Sequence, residues 1–134
     1  MRLWPFVLAI LCVALIDLHA ELPPSAYKER QDRAPEELTI KVRNVKTRET
    51  KEQKAKVIEV TIEAEVQRVE RTATSLAPGM TIKIFYSRRE HSEPIAGPSE
   101  LPVLKEGQIY PAFLSREGYI YAPAAGGYSF ATVR

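Results

Sequence analysis

The residues best suited to contact a ligand lie near the C-terminus, where aromatic side chains recur among small residues. Positions 110 to 130 contain six of them: Tyr110, Phe113, Tyr119, Tyr121, Tyr128 and Phe130. Rings beside glycine, alanine and proline turns can line a groove for a sugar, a peptide or a partner chain. The alternative is that most of them complete a hydrophobic core. Tyr119 and Tyr121 are two residues apart and so share a strand face, and they form the predicted exposed pair.

Two arginines could add charge to such a surface. Arg88 and Arg89 begin a loop predicted over residues 88–100, where proline and glycine recur. Guanidinium groups there could form a polar rim or contact an anionic group. The sequence therefore predicts a binding site for an unknown protein or glycan partner, formed by Tyr119, Tyr121, Tyr128, Arg88 and Arg89.

The sequence contains few residues of the types that a catalytic triad needs. A Ser-His-Asp triad needs a histidine, and beyond residue 20 the sequence contains only His91 and a single aspartate, Asp32. Glu59, Glu63 and Glu65 share a predicted strand face, where paired carboxylates could support glycoside chemistry if one were buried. Such glutamates are more often a solvated face among basic neighbours. No catalytic residue is predicted, and a small exported hydrolase using a carboxylate or the histidine is the alternative.

Metal and cofactor motifs are also missing from the sequence. His91 lies between Glu90 and Glu93, but this spacing matches no metal motif, and the neighbouring Arg88 and Arg89 repel cations. The sequence contains no phosphate loop, dinucleotide fingerprint or zinc motif. We expect neither a metal nor a cofactor.

The first twenty residues have the pattern of an export signal. Arg2 precedes an apolar run over residues 3–16, and a more polar stretch ends at Ala20. The run is shorter than the about 20 residues that a bilayer-spanning helix needs. Leu11 precedes Cys12, where a lipoprotein signal needs a small residue. The sequence therefore predicts a signal peptide over residues 1–20, cleavage after residue 20, no remaining membrane anchor, and a periplasmic or extracellular protein.

The remaining composition limits the kinds of partner. The net charge is +2 and the charges are interspersed, which does not favour nucleic acid or a membrane surface as a partner. The only cysteine is Cys12, inside the predicted signal, so the mature chain has no thiol for a disulfide. Its stability must come from a hydrophobic core, and its oligomeric state is left open.

The mature chain divides into an arm and one domain. Residues 21–37 are polar and interrupted by Pro23, Pro24 and Pro35, which predicts a flexible or loosely docked arm, where residues 27–33 alone could form one or two helical turns. Such an arm could dock onto a larger envelope assembly, which would make the protein an accessory subunit. Residues 38–134 form the predicted β domain.

Alternating apolar residues predict short strands through this domain. The clearest alternation covers residues 58–66, and it slips by one residue near Gln67 and Arg68, as a β-bulge requires. Residues 46–56 are charged and predict a solvated loop. Further strands are expected at 38–43, 80–87, 101–104, 108–114 and 119–121, with a last short one at 128–130. Strands of this kind predict an all-β fold, a small antiparallel OB-like barrel or β-sandwich of about six strands.

The stretch from residue 57 to residue 114 resembles one known layout. A long bulged strand leads to the turn Pro78-Gly79, an alternating strand follows, and Leu104 begins a Leu-x-x-Gly-x-x-Tyr turn that ends at Tyr110. This arrangement is similar to the OB-type barrel of netrin-like modules, the fold of the tissue inhibitors of metalloproteinases. The resemblance implies a barrel. It carries over no inhibitory residue, since those inhibitors use an N-terminal cysteine and this mature chain has none.

Overall fold

A computed structural model of the protein describes residues 22–53, 55–91 and 100–133, apart from the side chain of His91. The predicted signal peptide, residues 1–20, and its cleavage site lie outside the described residues. Within the described ranges, no helix is long and apolar enough to cross a membrane.

Five strands form a closed barrel, in the order β1-β2-β3-β5-β4. Among the described residues the elements are α1 (Pro24–Arg33), β1 (Glu36–Glu52), β2 (Ala55–Arg71), β3 (Thr81–His91), β4 (Ile109–Glu117) and β5 (Ile120–Pro123). Neighbouring strands are antiparallel except β3 and β5, which are parallel. The protein is therefore a small all-β barrel, compatible with an OB-like fold. The prediction of about six strands was wrong, because residues 101–104 lie outside any strand and residues 126–128 form a 3-10 turn.

The predicted core and bulge are both confirmed. The apolar side chains of the alternating stretches 58–66 and 80–87 are expected to form the core, and the barrel interior contains Ile58, Val60, Ile62, Val66, Ile82 and Ile84. Thr39 pairs with Arg68 and Ile40 pairs with Val66, so Gln67 is the extra residue in β2. A bulge bends the strand and increases its twist. The bend lets one long strand follow the curved wall of the barrel.

The charged stretch at residues 46–56 is a hairpin and not a loop. β1 continues to Glu52, and β2 begins three residues later at Ala55. Ion pairs tie this ribbon together: Lys56 Nζ lies 2.9 Å from Glu49 Oε1, and Arg89 Nη2 lies 3.4 Å from Glu52 Oε2. The prediction failed because both faces are polar here, so no apolar period marks the strands.

The predicted arm contains α1, whose inner side packs against the barrel. Tyr27 and Gln31 are one helical turn apart and are both buried. The Gln31 Nε2 group donates to the carbonyl oxygens of Tyr128, at 2.9 Å, and Ala131, at 2.7 Å. β1 also begins at Glu36, inside the predicted arm. The helix is longer than the one or two turns that the sequence allowed, because only one aromatic and one amide form its buried side, which is not an apolar stripe.

Candidate functional site

An open groove of about 300 Å³ lies at one end of the barrel. It is bounded by the β2–β3 connection, the first residues of β3, and the hairpin between β4 and β5. Its lining residues are Thr74, Leu76, Met80, Thr81, Ile82, Lys83, Arg116, Tyr119 and Tyr121. The groove therefore combines apolar, hydroxyl and basic side chains.

The β4–β5 hairpin presents an uncovered ring at the groove. Gly118 has φ +64°, a left-handed conformation that glycine adopts without steric cost. The turn places Tyr119 in solvent, with 93% of the residue exposed. Arg116 Nε donates to the Gly118 carbonyl oxygen at 2.7 Å and so braces the turn. The ring is thus held out on a short, tied hairpin.

Hydroxyl groups at the groove lead inward to a buried carboxylate. The hydroxyl oxygens of Tyr121 and Thr74 are 2.7 Å apart, and Thr74 Oγ1 lies 2.6 Å from Glu36 Oε1. The Ala73 amide lies 3.2 Å from each carboxylate oxygen of Glu36. Glu36 is fully buried, so these donors compensate for the water that burial removes.

The charged side chains of the groove are all basic. Lys83 and Arg116 line it, and no carboxylate occurs among the lining residues that the structure describes. Lys83 Nζ is 3.9 Å from Glu63 Oε1, a long contact at an exposed site that contributes little. The two basic lining side chains favour an anionic group, although Glu63 lies beside Lys83 and Glu36 lies behind Thr74.

Of the two tyrosines predicted to be exposed together, Tyr119 is exposed and Tyr121 is buried. Tyr121 is only 6% exposed, because it is an inward residue of β5 and pairs with Ile84 of β3. Tyr119 belongs to the turn before β5 and does not share that face. The prediction that both rings are exposed was wrong for Tyr121. Both residues nevertheless line the groove, one at its mouth and one at its floor.

The other three predicted binding residues lie elsewhere. Tyr128 packs against Tyr27 of α1, with ring centroids 4.6 Å apart. Arg88 and Arg89 belong to β3 and not to a loop. Arg88 is four residues beyond Ile84, the partner of Tyr121, which places it about 13 Å along the strand. The structure therefore brings none of these three residues to the groove.

Arg88 and Arg89 instead contact acidic residues of their own chain. Arg88 Nη2 lies 3.3 Å from Glu100 Oε2, and Arg89 Nη2 lies 3.4 Å from Glu52 Oε2. Arg88 is largely covered, while Arg89 is exposed. Their charges are partly compensated where they stand, so neither is a strong candidate for an anionic ligand.

Glu65 of β2 lacks the environment of a general acid. A hydrogen bond from Arg43 lowers the pKa of the Glu65 carboxyl, whereas a catalytic acid needs a raised pKa. Glu63 faces Lys83. Among the described residues, no group of three or more histidine, cysteine or acidic residues could hold a metal ion. The side chain of His91, and Glu93, lie outside the described residues.

Sequence reasoning missed Thr74, Lys83, Arg116 and Glu36 as residues of this region. The Glu117-Gly118 turn was a usable signal, since a tight turn brings the residues before and after it together. Thr74 and Glu36 carry no such signal. They meet the tyrosine only because the barrel closes β1 against β4 and β4 against β5.

Comparison of the chain with protein-family models, with curated proteins and with solved structures gave no match in any of the three. The resemblance to netrin-like modules thus gains no support from a relative. What the structure supports is the closed five-stranded barrel and the groove at its end.

Proposed function

We propose that the chain is an exported, non-enzymatic binding module that captures a protein or glycan in the groove beside Tyr119. The observation that carries this proposal is the exposed ring on a braced turn, beside a groove with a hydroxyl floor and basic edges. A ring with few rotatable bonds contributes a large contact area at a low cost in conformational entropy.

Exposed apolar side chains support the same surface. Met80 and Tyr119 line the groove, while Ile120 and Phe85 lie outward on the adjoining strands β5 and β3. Single exposed apolar residues are common on soluble proteins, whereas a group of them more often marks an interaction site. Ile109 is also exposed but lies at the start of β4, seven residues or about 23 Å from Arg116.

The two alternative functions, an exported hydrolase and an accessory subunit, have less support from the contacts in the structure. An exported hydrolase would need a suitable acid, and the pKa of Glu65 is shifted downward. An accessory subunit docked by its N-terminal arm would use residues 21–37, but the inner side of α1 packs against its own barrel. Export itself, and a relationship to netrin-like modules, are parts of the proposal that rest on the sequence pattern.

The test is retention of material from the native surroundings of the protein. The purified protein is immobilised and exposed to envelope extract and culture medium, and the retained protein and carbohydrate are measured. Tyr119→Ala should reduce the retained ligand about tenfold, the change that corresponds to loss of an aromatic contact of about 1.4 kcal/mol. Ile109→Ala is the matched control, since it removes an exposed apolar side chain far from the groove. Equal retention by both variants and the unchanged protein would refute the proposal.

A further inference from the structure

The hydrogen-bonding polarity of the groove floor is set by Glu36. An ionised carboxylate only accepts hydrogen bonds, and the Ala73 amide donates to both oxygens of Glu36. The Thr74 hydroxyl must then donate its proton to Glu36 Oε1, 2.6 Å away. Since that proton is used, the Tyr121 hydroxyl donates to Thr74 Oγ1, at 2.7 Å. Tyr121 therefore has only lone pairs left, and it offers the groove a hydrogen-bond acceptor.

The side chains at the edges of the groove are hydrogen-bond donors, unlike the acceptor on its floor. Arg116 and Lys83 carry only donors. Arg116 Nε is held by the Gly118 carbonyl oxygen, which fixes the guanidinium beside the turn and leaves its terminal N–H groups for other partners. Within the part of the chain that the structure describes, Arg116 forms no ion pair. A carboxylate is one of the anions whose planar geometry suits a guanidinium.

The ring of Tyr119 sets a third requirement for a ligand of the groove. Its ring is almost fully exposed, so it acts as a flat platform and not as the wall of a closed pocket. The face of an aromatic ring is electron-rich and attracts groups with positive edges. The C–H groups on one face of a pyranose ring are such edges. An occupant with a C–H face, hydroxyl donors and a carboxylate satisfies the platform, the floor and the edges together.

We propose that the groove binds an acidic sugar, a uronate residue of a polysaccharide. In this arrangement the sugar ring stacks on Tyr119, a ring hydroxyl donates to Tyr121, and the carboxylate lies against Arg116 and Lys83. The inference rests on the proposed function, because it names the ligand of the same groove. An acidic peptide would satisfy the basic edges, but peptide anchor side chains need closed, desolvated pockets, and this groove is open.

Uronate oligosaccharides test the proposal directly. The probes are oligogalacturonate, oligomannuronate and hyaluronan fragments, each compared with its methyl ester, which keeps the ring and hydroxyls but removes the charge. Calorimetric or interferometric titration of the purified protein should show binding of at least one uronate. Its methyl ester should bind at least about tenfold more weakly, since a hydrogen bond to a charged group contributes about 1.5–3 kcal/mol.

Three variants separate the contacts. Tyr119→Ala should weaken binding of the uronate and its ester alike, by about tenfold. Arg116→Gln should remove the preference for the uronate over the ester. Tyr121→Phe should weaken both ligands about equally, since it deletes only the acceptor on the floor. Ile109→Ala and Lys105→Gln, which change exposed residues near the start of β4, should leave binding unchanged.

Several results would overturn the acidic-sugar assignment. They are no binding of any uronate, equal binding of a uronate and its methyl ester, or polyglutamate binding as tightly as the uronate with the same variant pattern. After any of these results, Tyr119-dependent retention of another ligand from extract would still support the proposed binding function of the groove. Retention that ignores Tyr119 would remove both proposals.

Discussion

Two tyrosine-bearing surfaces of this barrel differ in whether the chain itself covers them. The first, the closed contact, joins α1 to the C-terminal segment, where Tyr27 packs on Tyr128 and on Gly126. Gly126 has φ +55°, and a Cβ there would come within 3.3 Å of the Tyr27 ring. The second surface is the groove, where Tyr119 is left exposed.

The difference shows what a ligand for the groove must supply. In the closed contact, α1 provides a flat ring for Tyr128 and an amide for the carbonyl oxygens of residues 128 and 131. The groove has a ring, an acceptor floor and basic edges, but no segment of the described chain that covers Tyr119. We therefore expect changes in the closed contact to alter stability, and changes in the groove to alter binding.

The largest expected effect is the loss of the Tyr27 ring. Tyr27→Ala should lower the free energy of unfolding by about 3–5 kcal/mol, as truncation of a buried aromatic ring does. Tyr27→Phe is the matched control. The Tyr27 hydroxyl has no hydrogen-bond partner among the described residues, so its removal should cost little. Urea denaturation measures both. A small loss for Tyr27→Ala would mean that α1 does not hold the C-terminal segment.

Alkali should weaken the covered part of the molecule. Tyr86 packs near Phe130, with ring centroids 5.8 Å apart, and its hydroxyl donates to the Pro102 carbonyl oxygen at 2.5 Å. Burial raises the pKa of Tyr86 to about 12, from an ordinary value of 10.0. Its contribution to stability is therefore complete below pH 10 and is lost as the pH rises through about 12.

Denaturation midpoints across this pH range test the Tyr86 assignment. Tyr86→Phe should show a flatter decline than the unchanged protein, since it has no proton to lose at that position. Identical declines in the two proteins would show that the titration of Tyr86 does not contribute to alkaline unfolding.

A smaller effect is expected at the floor of the groove. Tyr121→Phe keeps the buried ring and deletes the hydroxyl that donates to Thr74, which should cost about 1 kcal/mol. Thr74→Val should cost more, because Glu36 would lose a donor while remaining buried. Thermal unfolding of the two variants gives the order. The reverse order would argue against the direction of donation from Tyr121 to Thr74 to Glu36.

The smallest effect on stability is expected at Tyr119. Its ring has little to lose on truncation, so Tyr119→Ala should change the free energy of unfolding by less than about 0.5 kcal/mol. Thermal melting is sufficient to check this. A loss of several kcal/mol would place the ring in the folded core and end its role as a binding platform.

Alternating side chains made the centre of the barrel predictable from the sequence. Along β2, the period of two identified the buried residues, and its slip identified the bulge at Gln67. The same reasoning failed where neither face is apolar, as in the hairpin at residues 46–56. It also failed for α1, whose buried residues are only Tyr27 and Gln31 and whose C-terminal end accepts hydrogen bonds from Arg71.

The candidate site was only partly predictable. Tyr119 could be found as an aromatic residue beside a glycine turn, and Tyr121 was placed near it, although on the wrong side of the wall. Residues 119 and 121 are two positions apart, so alternation along a strand places them on the same face. They could have been separated only by knowing that β5 begins at Ile120, after Tyr119. Arg116 and Glu36 depend on long-range strand pairing, which a local pattern does not encode.

Substitution at position 119 tests directly whether the exposed Tyr119 ring binds the ligand. Ligand retention is measured for the unchanged protein, Tyr119→Trp, Tyr119→Ala and Ile109→Ala, together with the melting temperature of each. We expect four similar melting temperatures, full retention with tryptophan, and about tenfold lower retention with alanine at position 119 alone. Retention that is the same in all four proteins, or that falls only where the melting temperature falls, would contradict it.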